Sequence, residues 1–268
     1  MNLMEREMLD LLIDLKENHH AFAAKVSFAS EASRLEDLIR INEIILRADM
    51  GLFVKIGGCE AVKDMEECKL LGASGIMVPM IETPFAMSKF IGTVNRVFSK
   101  SEQRELEFAA YVDSLTGFGY IDGILSVDGI EAVDAVVVGR RNLTASMGFN
   151  GSDINGDEVC RITKTILEKV RDKGMTGGIS GGISMEAVPF VRRLGGLIKR
   201  HETRKLIFKT PDTLKSINTG LLKALHFEML YLLNKRDYYG RAALEDEERI
   251  KLLESRIKSM EEIIGGGR

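Results

Sequence analysis

Cysteine is scarce in this chain, and its spacing carries no metal-binding or disulfide pattern. The three cysteines are Cys59, Cys68 and Cys160. None belongs to a CxxC pair or a Cys/His cluster, which argues against a zinc module. The sequence also lacks any apolar run of about 18 residues or more, so we expect no membrane span. Its first residues are charged and amphipathic, unlike a secretory leader. We therefore expect reduced thiols in a cytoplasmic protein.

An excess of positive charge is also missing. The formal net charge is -3, which argues against the global basic field typical of nucleic-acid-binding proteins. A locally basic stretch, residues 199–209, is better explained by a solvated rim or an anion site than by DNA binding. The G-x-G-x-x-G loop after a first strand and the G-x-x-x-x-G-K-[ST] loop are both absent. The sequence therefore favours neither a dinucleotide fold nor a P-loop fold.

Short apolar runs do alternate with amphipathic stretches through about residue 210, the pattern of βαβ units. Eight runs are predicted strands: 24–28, 52–56, 75–80, 108–112, 134–138, 175–179, 197–199 and 205–208. Six intervening stretches are predicted helices: 30–48, 59–71, 84 onward, 117–128, 158–173 and 185–194. No helix is predicted between the last two strands. The chain of 268 residues suits one α/β barrel of the TIM type, (β/α)8, which uses about 250 residues.

Helical segments flank the predicted barrel at both ends. Residues 1–210 are predicted to form the barrel domain, with an N-terminal helix at 2–18. Residues 211–264 are predicted to form a C-terminal extension of two helices, 212–234 and 241–263. The apolar residues of the first helix are too widely spread for one stripe, so we expect it to contact both the barrel and a neighbouring subunit in a homo-oligomer.

Polar residues follow most of the predicted strands, and the carboxyl ends of parallel strands share one rim of a barrel. These rim residues include Lys55, Gly57, Gly58, Glu82, Asp113, Arg140, Arg141, Asn142, Gly181, Gly182, Glu202 and Arg204. Carboxylates suit a hard divalent cation, lysine and arginine suit an anionic substrate, and glycines let a ligand approach the backbone. A single acidic residue at a strand end is more often a helix cap or a rim charge, but several at successive strand ends favour a site.

Four stretches of this sequence resemble the HpcH/HpaI aldolase/citrate lyase family of the phosphoenolpyruvate/pyruvate barrel superfamily. They are LFVKIGG at 52–58, LGASGIMVPMIET at 71–83, YVDS at 111–114 and VDAVVVGRRNLTASMG at 133–148. The resemblance implies a TIM-type barrel in which Mg²⁺ or Mn²⁺ is held by acidic residues at two strand ends. The metal would bind a small 2-oxo acid and stabilise the enolate formed when a carbon–carbon bond breaks. ETR at 202–204 is similar to a feature of one divergent branch.

Three positions depart from the family pattern. Asp113 aligns with the usual glutamate ligand, Asn142 with the second acidic ligand, and Lys55 with an arginine that neutralises the enolate. The resemblance therefore implies metal ligands at Asp113 and Asn142, with Glu82 as a substitute. Lys55 and Arg140 would bind the carboxylate and the enolate, with Glu202 and Arg204 as further catalytic candidates. Gly57, Gly58, Gly181 and Gly182 would lie against the bound group.

The sequence thus predicts a carbon–carbon lyase or aldolase that acts on a small anionic 2-oxo acid. Two alternatives stay open. One is a catalytically degenerate barrel kept for ligand binding or assembly. The other is a metal-independent enzyme acting in the same pocket on a phosphorylated or sugar-derived substrate.

Overall fold

Eight strands close into one barrel in the computed structural model, which describes residues 1–29, 31 and 33–265. The strands are β1 Ala21–Ser27, β2 Gly51–Lys55, β3 Gly75–Val78, β4 Glu107–Val112, β5 Ala135–Gly139, β6 Thr176–Ser180, β7 Arg200–Glu202 and β8 Leu206–Lys209. Strands β1 to β7 pair in parallel in chain order. This arrangement confirms the predicted TIM-type barrel.

The eighth strand departs from the regular pattern because β8 runs antiparallel to both β7 and β1. A tight turn joins β7 to β8, with the Thr203 N–H donating to the Leu206 carbonyl at 2.9 Å. The short connection explains why no helix was predicted there. The seventh strand lies three residues later than predicted, since Gly195–Leu197 forms a turn of 3₁₀ helix.

The described residues form eleven α-helices. They are α1 Leu3–His19, α2 Leu35–Arg47, α3 Val62–Leu70, α4 Pro84–Val97, α5 Lys100–Gln103, α6 Leu115–Gly119, α7 Ile121–Ile124, α8 Arg140–Ser146, α9 Asp157–Asp172, α10 Val188–Leu194 and α11 Ile217–Gly265. Two of them differ from expectation. No helix was predicted over the residues of α8, and α11 is one helix where two were predicted.

Local sequence accounts for both differences. In α8, the Thr144 hydroxyl donates to the Arg140 carbonyl at 2.7 Å and Leu143 is fully buried, so the segment is anchored although it is short. In α11, the chain around Gly240 holds no proline and continues into residues of high helix propensity, so nothing ends the helix there. The side chains of α11 pack against α1, where Asn2 donates to Asn234 at 2.7 Å.

Alternate residues of each strand point into the barrel, as the two-residue period of a strand requires. The inner apolar cluster includes Ala23, Phe53, Tyr111 and Val137. The last inward residue of several strands lies at the carboxyl end of the barrel, and this layer holds Lys55, Asp113, Gly139, Ser180 and Glu202. The barrel thus brings into one layer residues that lie far apart in sequence.

In the part of the chain that the structure describes, every helix is too short or too polar to cross a bilayer.

Candidate active site

A cavity of about 260 Å³ opens at the carboxyl ends of the parallel strands. It is lined by Lys25, Val26, Ser27, Glu31, Lys55, Tyr111, Asp113, Gly139, Arg141, Asn142, Ser180, Gly181, Gly182, Ile183, Glu202, Thr203 and Arg204. Four of these side chains are cations and three are carboxylates. The excess of positive charge suits a small anionic ligand.

A buried charge network forms the floor of the cavity. Glu202 is 0% exposed, and its carboxylate accepts hydrogen bonds from Lys25 Nζ at 3.0 Å and from the Tyr111 hydroxyl. Arg200 Nε lies 3.1 Å from the same carboxylate, and the Arg200 guanidinium also pairs with Glu107. Burial alone would raise the pKa of Glu202, but Lys25 and Arg200 hold it below its ordinary value. Glu202 therefore stays ionised and fixes Lys25 and Tyr111.

Asp113 lies on the wall of the cavity with one free oxygen. It is only 1% exposed, and its Oδ2 accepts a hydrogen bond from Asn142 Nδ2 at 2.9 Å. Its Oδ1 is buried and has no hydrogen-bond partner among the described residues. Burial raises the pKa of Asp113, although Asn142 and the charge of Lys55 oppose the shift. A buried carboxyl group whose pKa is raised is better able to accept a proton from a substrate and return it.

Gly139 makes room for this carboxylate. A Cβ atom at position 139 would lie 2.6 Å from the Cβ of Asp113, closer than two carbon atoms can approach. The close contact explains why strand β5 ends in glycine beside the site.

Lys55 reaches the cavity from the end of β2. Its Nζ lies 3.8 Å from the centre of the Tyr111 ring, and no hydrogen bond or ion pair joins it to another described residue. Burial lowers the pKa of the Lys55 ammonium; Asp113 opposes that shift, and the like charge of Lys25 adds to it. Lys25 differs, because its ammonium is held by Glu202 and by Ser180 Oγ at 3.3 Å.

Arg140 supports the cavity from behind. Its guanidinium donates to the carbonyls of Gly181 and Gly182, both at 2.9 Å, and to Asn155 Oδ1 at 2.8 Å. Both glycines have positive φ, +83° and +62°, which favours glycine there. Arg140 is fully buried and is not among the lining residues. Its contacts give it a role in holding the glycine loop and do not support the predicted role in binding the substrate carboxylate.

Seven of the predicted site residues line the cavity: Lys55, Asp113, Asn142, Gly181, Gly182, Glu202 and Arg204. Four do not: Gly57, Gly58, Glu82 and Arg140. The Gly57 N–H donates to Asp64 at 2.7 Å, so the loop after β2 turns away towards α3. Glu82 accepts a hydrogen bond from the Ser114 hydroxyl at 2.5 Å, beside the site. Their predicted contacts with a ligand remain untested.

Arg204 lies at the tip of the β7–β8 hairpin. Its Nε is 3.2 Å from Glu31 and 3.6 Å from Glu228, and the side chain is 58% exposed. Lys205 beside it also binds Glu31, at 2.5 Å. The hairpin tip is thus tied to the loop after β1 at the mouth of the cavity.

Sequence reasoning missed Lys25, Tyr111 and Arg200. Each lies within a strand, whereas the predicted site residues were those that follow the strands. A signal was present, because Lys25 interrupts the otherwise apolar AFAAKV run and Arg200 precedes Glu202 by two residues. Residues two positions apart on a strand lie on the same face, so Arg200 and Glu202 both face the inside of the barrel.

The donors near Asp113 fit a divalent cation poorly. The described residues contain no group of three His, Cys, Asp or Glu side chains placed to share a metal ion. Asp113 offers one carboxylate, the amide of Asn142 adds no charge, and Lys55 interacts electrostatically with the same carboxylate. Mg²⁺ commonly binds through one or two carboxylates and substrate oxygens. Asp113 alone supplies the smallest number of carboxylates that Mg²⁺ commonly needs, and the positive charge of Lys55 near it opposes the binding of a cation.

Known proteins resemble this chain in sequence and in fold. The sequence pattern of the HpcH/HpaI aldolase/citrate lyase family matches residues 11–186. Hydroxypyruvate/pyruvate aldolase from Roseobacter denitrificans is 28% identical over 149 residues, covering 47% of this chain and 55% of the relative. The chain thus spans about half the length of that relative.

Two solved structures show the same fold. An HpcH/HpaI aldolase/citrate lyase family protein from Burkholderia cenocepacia gives a TM-score of 0.60 at 17% identity, over 92% of both chains. An HpcH/HpaI aldolase from Desulfitobacterium hafniense also gives 0.60, at 14% identity, over 84% of this chain and 89% of that one. At such identities the likeness shows the fold alone. The family pattern, however, spans more than half of the sequence, and the chain belongs to the HpcH/HpaI aldolase/citrate lyase family.

Proposed function

We propose that this protein is a carbon–carbon lyase, or in reverse an aldolase, that acts on a small anionic 2-oxo acid. The observation that carries the proposal is the convergence of Lys55, Asp113 and Arg141 on one cavity at the carboxyl end of the barrel. Family membership supports the reaction class. The Roseobacter relative is named for hydroxypyruvate and pyruvate, and we propose substrates of that size.

Arg141 is the best candidate for binding the substrate carboxylate. It lines the cavity, and no described residue forms a hydrogen bond or an ion pair with its guanidinium. A planar guanidinium binds a carboxylate through two parallel hydrogen bonds. Arg204 is less available because Glu31 and Glu228 already neutralise it.

Cleavage of the bond between C3 and C4 of a 2-oxo acid leaves an electron pair that must be stabilised through the C2 carbonyl. Lys55 forms no ion pair with a described residue, and its charge favours the enolate that forms. Asp113 Oδ1 is free to take the proton from the C4 hydroxyl and return it to C3. Each of these two side chains thus has a distinct role in the reaction.

The predicted Mg²⁺ or Mn²⁺, with Asp113, Asn142 and Glu82 as its ligands, remains a proposal. Because the donors fit it poorly, the steps above are assigned to side chains alone. A bound metal would supply a Lewis acid at the C2 oxygen.

The reaction can be tested without knowing the aldehyde. An enzyme that forms the enolate or enamine of pyruvate, with a proton acceptor that reaches solvent, exchanges the methyl protons of pyruvate with water. We expect the purified protein to exchange these protons in D₂O, followed by NMR, with and without EDTA. Replacing Asp113→Asn should lower the rate by about a hundredfold, because it removes the base.

Asp122→Asn is the matched control, since Asp122 is an exposed carboxylate outside the cavity. It should exchange like the wild type. Binding of 2-oxo acids with no exchange of pyruvate or hydroxypyruvate protons would contradict the lyase proposal and favour the binding-protein alternative. Turnover confined to phosphorylated or sugar-derived substrates would favour the other alternative.

We also propose that the protein assembles as a homo-oligomer through α11. Leu222, Leu225, Met229 and Leu232 are half exposed on this helix and recur every three or four residues. Such spacing puts them on one face, and a second copy of the same stripe is a suitable partner.

A further inference from the structure

We propose that Lys55 forms a covalent Schiff base with the C2 carbonyl of the substrate and replaces a metal ion as the electron acceptor of the reaction. The inference rests on the proposed lyase function and names the group that makes cleavage possible. Two observations lead to it: an unpaired lysine amine inside the barrel, and an unpartnered buried carboxylate on the same cavity.

The surroundings of Lys55 suit a nucleophilic amine. A lysine can attack a carbonyl only from its neutral form, which desolvation and a neighbouring cation both favour. Burial and the like charge of Lys25 lower the pKa of Lys55, and they outweigh Asp113 and Glu202, which raise it. Its Nζ lies over the Tyr111 ring, 3.8 Å from the ring centre. No described carboxylate lies within ion-pair distance of its Nζ, so no salt bridge holds the ammonium form.

Lys25 is the obvious rival, since it also lines the cavity. Its Nζ is 3.0 Å from Glu202, which is completely buried and remains ionised. Lys25 also contacts Ser180 Oγ at 3.3 Å, so two neighbours engage its amine. Lys55 has no hydrogen bond or ion pair with another described residue, which leaves its amine available to a substrate carbonyl.

The side chains at positions 55 and 142 are consistent with this chemistry. Arginine cannot lose its proton in a protein and cannot form a Schiff base, whereas lysine can. Lysine at position 55 therefore supplies a nucleophile. The amide of Asn142, which donates to Asp113 at 2.9 Å, is neutral and adds no charge that a metal would need.

The chemistry balances without any further reactant except water. The Lys55 ammonium and the ketone give an iminium ion and one water, since the two protons released by nitrogen leave on the ketone oxygen. Asp113 takes the C4 hydroxyl proton as the C3–C4 bond breaks. The bond's electrons form a C2=C3 double bond, and the C2=N pair moves onto nitrogen. Asp113 then protonates C3, and water hydrolyses the iminium to the 2-oxo acid and the free lysine.

Reduction with borohydride tests the proposal directly. We expect wild-type protein treated with pyruvate and sodium borohydride to gain the mass of pyruvic acid less one oxygen atom. Peptide mapping should place the adduct on Lys55, and EDTA should leave its yield unchanged. Without pyruvate, no adduct should form. The amount of adduct on the exposed Lys63 gives the level of non-specific labelling.

Lys55→Arg is the matched variant because it keeps the positive charge and removes the nucleophile. We expect it to lose both the adduct and the exchange of pyruvate protons. Retained exchange in Lys55→Arg, or exchange by the wild type with no trapped adduct, would overturn the Schiff base and leave the lyase function standing. An adduct on Lys25 would overturn the assignment to Lys55. Absence of both exchange and adduct would refute the lyase function as well.

Discussion

At the scale of single residues, Asn142 bears directly on the proposed role of Asp113. Its amide donates to Asp113 Oδ2 at 2.9 Å, so it occupies one oxygen of the carboxylate and leaves Oδ1 free for chemistry. An acidic residue at position 142 would instead place two carboxylates side by side, an arrangement that attracts a divalent cation. The identity of this side chain thus separates a proton-transfer site from a metal site.

Asn142→Asp should therefore bind Mn²⁺ at least about tenfold more tightly than the wild type, since a second negative charge is added beside Asp113. Isothermal titration with Mn²⁺ measures the change. Asn142→Ala, which adds no charge, should show no gain. If the aspartate variant binds Mn²⁺ no better than the wild type, Asn142 does not lie at a ligand position.

At the scale of structural elements, the β7–β8 hairpin completes both the barrel and the site. Strand β7 directs Arg200 and Glu202 into the barrel, so the intervening His201 points outward. His201 stacks on Phe208 of β8, with ring centres 5.2 Å apart, and its Nδ1 lies 2.7 Å from Thr210 Oγ1. The network on the inner face therefore depends on packing on the outer face of the same hairpin.

This packing makes the stability of the fold depend on pH. Burial lowers the pKa of His201 from 6.5 to about 4. Between these values the unfolded chain binds more protons than the folded one, so stability is full above 6.5 and falls as the pH drops towards 4. His201 should contribute about 2 kcal/mol of this loss by about pH 5.

Urea unfolding at neutral pH and in this acidic range, for the wild type and His201→Gln, measures the contribution. The variant should lose less stability on acidification. His226→Gln is the control, because His226 is exposed on α11, and it should behave like the wild type. Equal acid sensitivity of wild type and His201→Gln would show that His201 is not the group responsible.

At the scale of the whole molecule, α11 carries two apolar faces. One face is buried against the rest of the chain through Leu221, Ala224, Phe227 and Leu230. On the other face, Leu225 is 57% exposed and Met229 is 52% exposed, and Leu222 and Leu232 are exposed as well. Packing of α11 within a single copy of the chain uses only the first face. The second accounts for the proposed assembly of two or more copies.

Replacing Leu225→Glu and Met229→Glu together should convert the assembly to monomers, because two buried charges per copy would oppose contact between the stripes. Light scattering coupled to size exclusion gives the mass. Leu70→Glu is the control, as Leu70 is 75% exposed on α3, and it should leave the mass unchanged. A monomeric wild type would contradict the proposal.

The sequence by itself determined the barrel and several of the residues around its cavity, among them Lys55, Asp113 and Asn142. Buried runs such as Ala135–Val138 and the polar residues after them are local signals, and parallel strands necessarily bring their ends together. Only the tertiary structure decided the direction of β8. The seventh strand was predicted at 197–199, whereas it lies at 200–202, so only the structure shows that three residues join β7 to β8, too few for the crossover between parallel neighbours. It also decided which charges meet. Arg140 was predicted from its place in the chain, yet its guanidinium holds the Gly181–Gly182 loop. Lys25 passed unnoticed in its strand, yet it pairs with Glu202 across the barrel. Contacts between residues so distant in sequence depend on the strand register and on which side chains point into the barrel. Both are set only when the barrel closes.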